Sequence, residues 1–245
     1  MYKHILLSLL AAIIFGSTNA QSYQLRVMSY NIRNAKGLDE ATNYRRITDI
    51  LQISKADVIA LQELDSVTYR SKQVDVLQKL SELTGMFAMY APAIDYNGGK
   101  YGVGVLSKEK PLSVRYVSLP GREEKRVLLL VEFERYVFLC THLSLTEEDR
   151  INTVNIINHE AAAFNKPVIL AGDLNDLPGS SFMQSLQQRW KLLSGEASTF
   201  PADRPDRCID YILMRKQDPF KVRSAIVMEE PVASDHRPVL VELEW

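Results

Sequence analysis

From Tyr23 to Tyr30 the chain alternates apolar and polar positions, the two-residue period of a half-buried strand, and Ile47, Ile50 and Leu51 then recur at helical spacing. The apolar run Asp57 to Leu61 predicts a second strand. Val74, Leu77, Leu80 and Leu83 step along a helix that Gly85 stops. The middle of the chain changes character: strand-like runs at Gly102 to Ser107, Leu112 to Val117, Arg126 to Phe133 and Tyr136 to Leu143 are separated by short polar turns, the kind that join antiparallel neighbours. Helix and strand then alternate again. A helix is expected around Glu147 to Phe164, a strand from Pro167 to Ala171, a short helix near Ser181 to Gln188, and strands near Cys208 to Met214, Val222 to Val227 and Pro238 to Leu243. Parallel-type edges around antiparallel hairpins predict an α/β fold of two packed sheets flanked by helices.

Ahead of the first strand, Lys3 precedes the apolar run Ile5 to Phe15 and the small-residue stretch Gly16-Ser17-Thr18-Asn19-Ala20. The run is about half of the ~20 residues that a membrane span requires. Thr18-x-Ala20 offers a cleavage site before Gln21, so the pattern predicts a signal peptide over residues 1–20 and an exported protein, periplasmic or secreted, with no stable membrane span after cleavage. An uncleaved anchor is the competing reading. No repeat or Pro/Ser-rich linker divides residues 21–245, which are expected to form a single domain, with a monomer as the default.

Lys and Arg number 29 against 30 Asp and Glu, a net charge of -1 that becomes -2 when Lys3 leaves with the leader. That balance gives no broad basic field for nucleic acid, so any polynucleotide contact has to be local and helped by a metal. Cys140 and Cys208 each lie inside an apolar run. Buried free thiols are one reading, and a disulfide, which export permits, is the other.

Polar residues able to do chemistry sit where the expected strands end. Asn31 closes Val27 to Tyr30, Glu63 closes Val58 to Gln62, and His142 closes Val137 to Thr141. Asp173 and Asn175 close Val168 to Gly172, while Asp235 and His236 precede the strand that starts near Pro238. Strand ends on one rim of a sheet converge in space. Taken singly, each has an ordinary explanation: Asp173 and Asn175 as a turn or helix cap, Glu63 as a solvated residue, His142 as a satisfied core histidine. Asp210 is harder to dismiss, because a carboxylate flanked by Ile209, Tyr211 and Ile212 is costly to bury without a partner, although the exposed face of an edge strand would also accommodate it. His159, mid-helix between Asn158 and Glu160, reads as a surface residue. Ser198 to Pro201, ahead of the Asp210 strand, reads as a pocket wall or a surface loop.

MSYNIR, LQEL, YGVGVLS, THL, GDLND, CIDYI and SDHRPV occur in the order found in the endonuclease/exonuclease/phosphatase superfamily, so the chain resembles exonuclease III, deoxyribonuclease I and the neutral sphingomyelinases from about Leu25 to Val241. The resemblance implies a four-layer α/β sandwich with its site at the strand ends and a metal-dependent hydrolase of phosphate esters. It implies Glu63 as the principal ligand of Mg²⁺ or Mn²⁺, with Asn31 and Asp235 beside it as ligands or supporting groups. Asp173 and Asn175 would hold or activate the attacking water and contact the phosphate, and His236 would face the phosphate with Asp210 on its other ring nitrogen. His142 resembles the second histidine of the deoxyribonuclease and sphingomyelinase branches. Arg126 resembles a phosphate-contacting arginine, with an exposed strand residue as the alternative.

A nuclease-type phosphodiesterase is the first substrate reading, and a phosphomonoesterase or lipid phosphodiesterase the second. The missing basic stripe argues against a dedicated nuclease, and the missing amphipathic hairpin against a bilayer enzyme. A catalytically inert binding protein should have lost some of these strand-end residues, yet every position still carries a competent group.

Overall fold

The structure, a computed structural model, describes residues 23–245, so the leader expected at 1–20 lies outside the described residues. In chain order, β1 (Gln24–Asn31) leads through α1 (Tyr44–Ser54) to β2 (Val58–Ser66), and α2 (Val76–Thr84) leads to the hairpin of β3 (Phe87–Tyr96) and β4 (Gly99–Ser107). Next come β5 (Ser113–Leu119), β6 (Arg126–Glu132) and β7 (Val137–His142), then α3 (Glu147–Ala162), β8 (Val168–Asp173), α4 (Ser181–Leu186) and β9 (Trp190–Leu192). The chain ends with β10 (Asp210–Arg215), β11 (Lys221–Val227) and β12 (Val239–Glu244).

Among the described residues these strands make two mixed six-stranded sheets, ordered β11-β12-β1-β2-β4-β3 and β5-β6-β7-β8-β10-β9. The sheets face one another across a core that includes Val27, Val105, Leu129, Phe138, Ile169 and Val241. α1 and α2 cover the outside of the first sheet by packing Ile47, Leu51, Leu77 and Leu80 against Met28, Ile59 and Leu61. α3 and α4 cover the second, with Val154, Ile157, Phe182 and Leu186 against Leu139, Leu170 and Leu213. The result is helix, sheet, sheet, helix, as expected. Each such aliphatic or aromatic side chain contributes about 1.5–3 kcal/mol when taken fully out of water.

Local chemistry sets the helix limits. The Asn43 side chain accepts the Arg46 N–H at 3.0 Å to start α1, and Asp75 does the same for Gln78 at 2.9 Å in α2. α2 stops at Gly85, whose φ of 74° is a left-handed conformation that a residue without Cβ adopts at little cost.

Each sheet has one parallel pair, β1 with β2 and β7 with β8, and α1 and α3 supply the long crossovers that parallel neighbours require. β3 was not foreseen. It carries Pro92 and lies at the sheet edge, where a missing N–H is tolerated but the proline spoils the strand pattern. The three-residue β9 is too short to leave a periodic signal. Both cysteines are free and buried, and no helix among the described residues is long and apolar enough to cross a membrane.

Candidate active site

Backbone pairing in the second sheet sets three of the expected residues in one row. His142 on β7 stands opposite Asp173 on β8, and Asp210 on β10 stands opposite Asp173 from the other side. Paired positions share a face, so the three side chains converge. The glycine ahead of Asp173 is a packing requirement: a Cβ on Gly172 would lie 2.1 Å from the Thr141 carbonyl oxygen of the neighbouring strand.

The first sheet reaches this row through Asn31, the last residue of β1. Its Nδ2 donates to Asp173 Oδ2 across the two sheets and to Glu63 Oε1, both at 3.1 Å, while its Oδ1 accepts the Arg33 N–H at 3.1 Å. Turning the amide over would oppose its oxygen to two carboxylate oxygens, so Asn31 presents its amide nitrogen to the site. Glu63 was expected to close its strand. Instead β2 continues to Ser66, and Glu63 sits at a register break between Leu61 and Leu64 with φ at 61°. A non-glycine residue held there costs roughly 1–3 kcal/mol, and bulges of this kind re-aim a side chain.

The segment after β11 is pinned to the same end of β1, because Ser234 Oγ donates to the Asn31 carbonyl at 2.7 Å. Asp235 follows, half-buried, with Oδ2 at 3.8 Å from Arg33 Nε. His236 places Nδ1 at 2.9 Å from Asp210 Oδ2 and Nε2 at 3.7 Å from Asp173 Oδ2. Its ring rests on Phe200, centroids 4.7 Å apart, and Thr199 donates its hydroxyl to the same Asp210 oxygen at 2.5 Å. His142 Nε2 approaches Asp173 Oδ2 to 3.4 Å. Asn175, at φ 52°, takes Asp173 Oδ1 on its backbone N–H at 3.0 Å and gives its Nδ2 to the Leu143 carbonyl at 2.9 Å.

Burial and charge pull the ionisable groups in different directions. Burial lowers His142 to about 4, and the attraction of Asp173 only partly opposes it. Burial would lower His236 too, but the Asp210 and Asp173 carboxylates outweigh it and raise that imidazole to about 10. Burial pushes Glu63 above the usual carboxylate range against the pull of the Asn31 amide.

Arg126 is not the exposed strand residue that was one of its two readings. It is 7% exposed and pairs with Glu124 at 3.0 Å and Glu123 at 3.4 Å. Just before it in sequence, the loop carrying Glu123, Glu124 and Lys125 lines one side of a groove of about 700 Å³, with Tyr96 and Lys100 on the other. Of the two readings of Ser198 to Pro201, the pocket wall holds, because Thr199 and Phe200 line Asp210 and His236. Ser234 lies within SDHRPV, but a hydroxyl that braces a backbone carbonyl has no pattern that singles it out as a site residue.

The donor set suits a hard divalent cation. Glu63, Asp173 and Asp210 crowd together, and among the described residues no lysine or arginine pairs with any of them. Asp210 Oδ1 is buried with no hydrogen-bond partner among the described residues. Such a surplus of carboxylate oxygen is what Mg²⁺ or Mn²⁺ neutralises. Asp173, Asp210 and His236 also bring ligand atoms within 4.8 Å of one another. In that trio His236 Nδ1 and Asp210 Oδ2 are committed to their mutual hydrogen bond, so the atoms that could face a cation are His236 Nε2, Asp210 Oδ1, the Asp173 carboxylate and the nearby Glu63.

Two packed mixed sheets with a buried carboxylate and imidazole cluster bridging them define an α/β sandwich of the phosphoesterase class. The chain belongs to the endonuclease/exonuclease/phosphatase family, which it matches over residues 28–236. Its fold is similar to that of an endonuclease/exonuclease/phosphatase from Beutenbergia cavernae, at 23% identity and a TM-score of 0.73 over 90% of this chain and 71% of that one. It is similar to the mannosyl-6-phosphatase Bt3783 of Bacteroides thetaiotaomicron, at 19% identity and a TM-score of 0.72, covering 89% and 99%. A third similar structure is ANGEL2, a 2',3'-cyclic phosphatase, at 14% identity and a TM-score of 0.71, covering 92% and 96%.

Proposed function

We propose that this protein is an exported, divalent-metal-dependent phosphoesterase that hydrolyses its substrate by in-line attack of water on phosphorus. The observation that carries the reading is the buried row His142, Asp173 and Asp210, joined to Glu63 by Asn31, with carboxylates that no lysine or arginine pairs with among the described residues. Glu63 and Asp235 would hold Mg²⁺ or Mn²⁺, which when bound neutralises charge on the phosphoryl and leaving oxygens.

The chain's own residues supply the rest. Asp173 accepts hydrogen bonds at the centre of the site, and with Asn175 it would orient the attacking water and take its proton. His236, held by Asp210, would face a phosphoryl oxygen, and the buried arrangement fixes which ring nitrogen points there. His142 on the far side of Asp173 would contact the same phosphoryl group, with the Arg126 guanidinium close by.

A small soluble phosphate ester is the favoured substrate over a polynucleotide. The groove beside Arg126 sets Asp95, Glu123 and Glu124 against Lys100, Arg122 and Lys125, a balanced wall rather than a basic track. The similarity in fold to a mannosyl-6-phosphatase and to a 2',3'-cyclic phosphatase supports that choice. The test is magnesium-dependent hydrolysis of bis-p-nitrophenyl phosphate and p-nitrophenyl phosphate with an EDTA control, followed by sugar phosphates, nucleotides, sphingomyelin and DNA. Hydrolysis unaffected by EDTA would refute the metal dependence, and turnover of DNA alone would refute the small-ester substrate.

A further inference from the structure

Arg150 lies in the first turns of α3, is 7% exposed, and belongs to none of the groups above. Its guanidinium spans the two loops that carry the site's working residues. Nε donates to Asp176 Oδ2 at 2.9 Å, next to Asn175, and Nη1 donates to the Ser144 carbonyl at 2.9 Å, two residues beyond His142. The loops are joined at two further points, where Asn175 Nδ2 meets the Leu143 carbonyl at 2.9 Å and the Leu143 N–H meets the Asp173 carbonyl at 3.0 Å.

Each loop is also gripped from outside. Tyr211 donates its hydroxyl to the Asp176 carbonyl at 2.8 Å, and Glu123 accepts the Ser144 hydroxyl at 2.8 Å and the Leu145 N–H at 2.8 Å. Arg126 pairs with that same Glu123. A continuous run of charge-assisted bonds therefore leads from Arg126 through Glu123 and Ser144 to Arg150, Asp176 and the Asn175 loop.

A buried arginine–aspartate pair seldom repays its desolvation as stability alone. A forked cation that bonds a carboxylate in one loop and a carbonyl in the other does fix their separation, and lysine cannot reproduce that geometry. Asn175 needs such support, because its left-handed backbone is strained and its aim depends on the turn that holds it.

We infer that Arg150 is a positioning residue that holds the Asn175 loop against the loop that follows His142, beyond the strand ends that the sheet already fixes, and so acts on turnover rather than on substrate or metal binding. This rests on the reading of those residues as the groups that handle water and phosphate. The experiment compares kcat and KM for bis-p-nitrophenyl phosphate at saturating Mg²⁺ in Arg150→Gln, Arg150→Lys, Asp176→Asn and the double variant Arg150→Gln/Asp176→Asn. Rates are taken per folded molecule by circular dichroism, and amide hydrogen exchange is followed in residues 143–146 and 174–177.

Arg150→Gln and Asp176→Asn should each lower kcat by about 10²-fold with KM within about threefold, the size expected when a reacting group is displaced by an ångström. Arg150→Lys, which keeps the charge but not the fork, should fall between them and the wild type. The double variant should be no worse than the worse single one, since both remove the same clamp. Exchange should quicken in both loops. A folded Arg150→Gln or Asp176→Asn protein with kcat within about threefold of wild type, or single losses that multiply in the double variant, would overturn the inference. Were the wild type inert toward every ester, the proposed function would fall, and exchange would still decide the clamp: quickening in both loops supports it and quickening in neither removes it.

Discussion

Asp210 holds His236 by a single carboxylate oxygen: Oδ2 lies 2.9 Å from the imidazole Nδ1 and also takes the Thr199 hydroxyl, while Oδ1 is buried without a partner among the described residues. The pair is sealed by Phe200 against the ring, so the imidazole cannot turn without breaking that bond. Asp210→Asn keeps the size and removes the charge, and its amide nitrogen can present a donor where His236 Nδ1–H needs an acceptor. The expected outcome is a kcat lower by roughly 10²–10⁴ with KM little changed, as for other histidines that lose an orienting carboxylate. Steady-state kinetics on folded protein check it. A variant within about threefold of wild type would show that His236 does not depend on the Asp210 carboxylate for its part in turnover.

Glu63 predicts a separable effect. It accepts the Asn31 amide at 3.1 Å, has no cationic partner among the described residues, and is held at the bulge by a strained backbone. Glu63→Gln should weaken Mg²⁺ or Mn²⁺ binding by more than about tenfold, because it deletes the charge that a hard cation selects. Calorimetric titration of Mn²⁺ into the metal-free protein reads this directly. Asn31→Ala should weaken binding by a smaller factor than Glu63→Gln does, because it removes a neutral supporting group and leaves the carboxylate charge in place. Equal affinities in wild type and Glu63→Gln would place the cation elsewhere, with Asp173, Asp210 and His236 as the next candidates.

Much of this arrangement could be read from residue order. Period-two and helical spacings located both parallel β-α-β units and the antiparallel middle, because a buried face must repeat with the backbone. Asp210 was legible as a partnered carboxylate, since an acid between Ile209, Tyr211 and Ile212 has few other fates. What stayed hidden depends on pairing across sheets. That Glu63 occupies a bulge rather than a strand end follows from β4 opposite it, where Leu61 pairs with Gly104 and Leu64 with Gly102. That Asn31 turns its nitrogen to the site follows from Arg33 claiming its oxygen. The edge strand β3 stays hidden because Pro92 spoils its pattern, and the bracing roles of Thr199 and Ser234 stay hidden because such hydroxyls have no pattern of their own, even where the Ser198 to Pro201 segment reads as a pocket wall.

The buried His142 predicts a pH dependence of stability in the metal-free protein. Its folded pKa is depressed to about 4 because burial disfavours the charged ring, whereas the unfolded side chain titrates near the ordinary 6.5. Between those values the unfolded chain binds the extra proton, so stability is fully present above pH 6.5 and is lost as pH falls toward 4. Urea unfolding in EDTA, repeated for His142→Gln, isolates the effect. The wild type should lose stability relative to the variant on acidification from pH 7 through this window. Parallel curves would mean that His142 is solvated or already charged when folded.

Arg215 predicts a loss of stability far from the chemistry. On β10 it donates to the Ala161 and Phe164 carbonyls at 2.8 and 3.0 Å, to the Lys166 carbonyl at 3.0 Å, and to Asp218 at 2.8 Å. Asp218 in turn accepts the Val168 N–H at 2.9 Å, so one ion pair ties the end of α3 to the start of β8. Both members are buried, and removing either strands the other without its counter-charge. Arg215→Ala should therefore cost about 3–5 kcal/mol, whereas Arg215→Met/Asp218→Ala, which removes both charges, should cost less than the two single changes summed. Urea midpoints at pH 7 measure this. Additive losses in the double variant would mean that the two side chains act independently and that the carbonyl bonds, not the ion pair, hold α3 to the sheet.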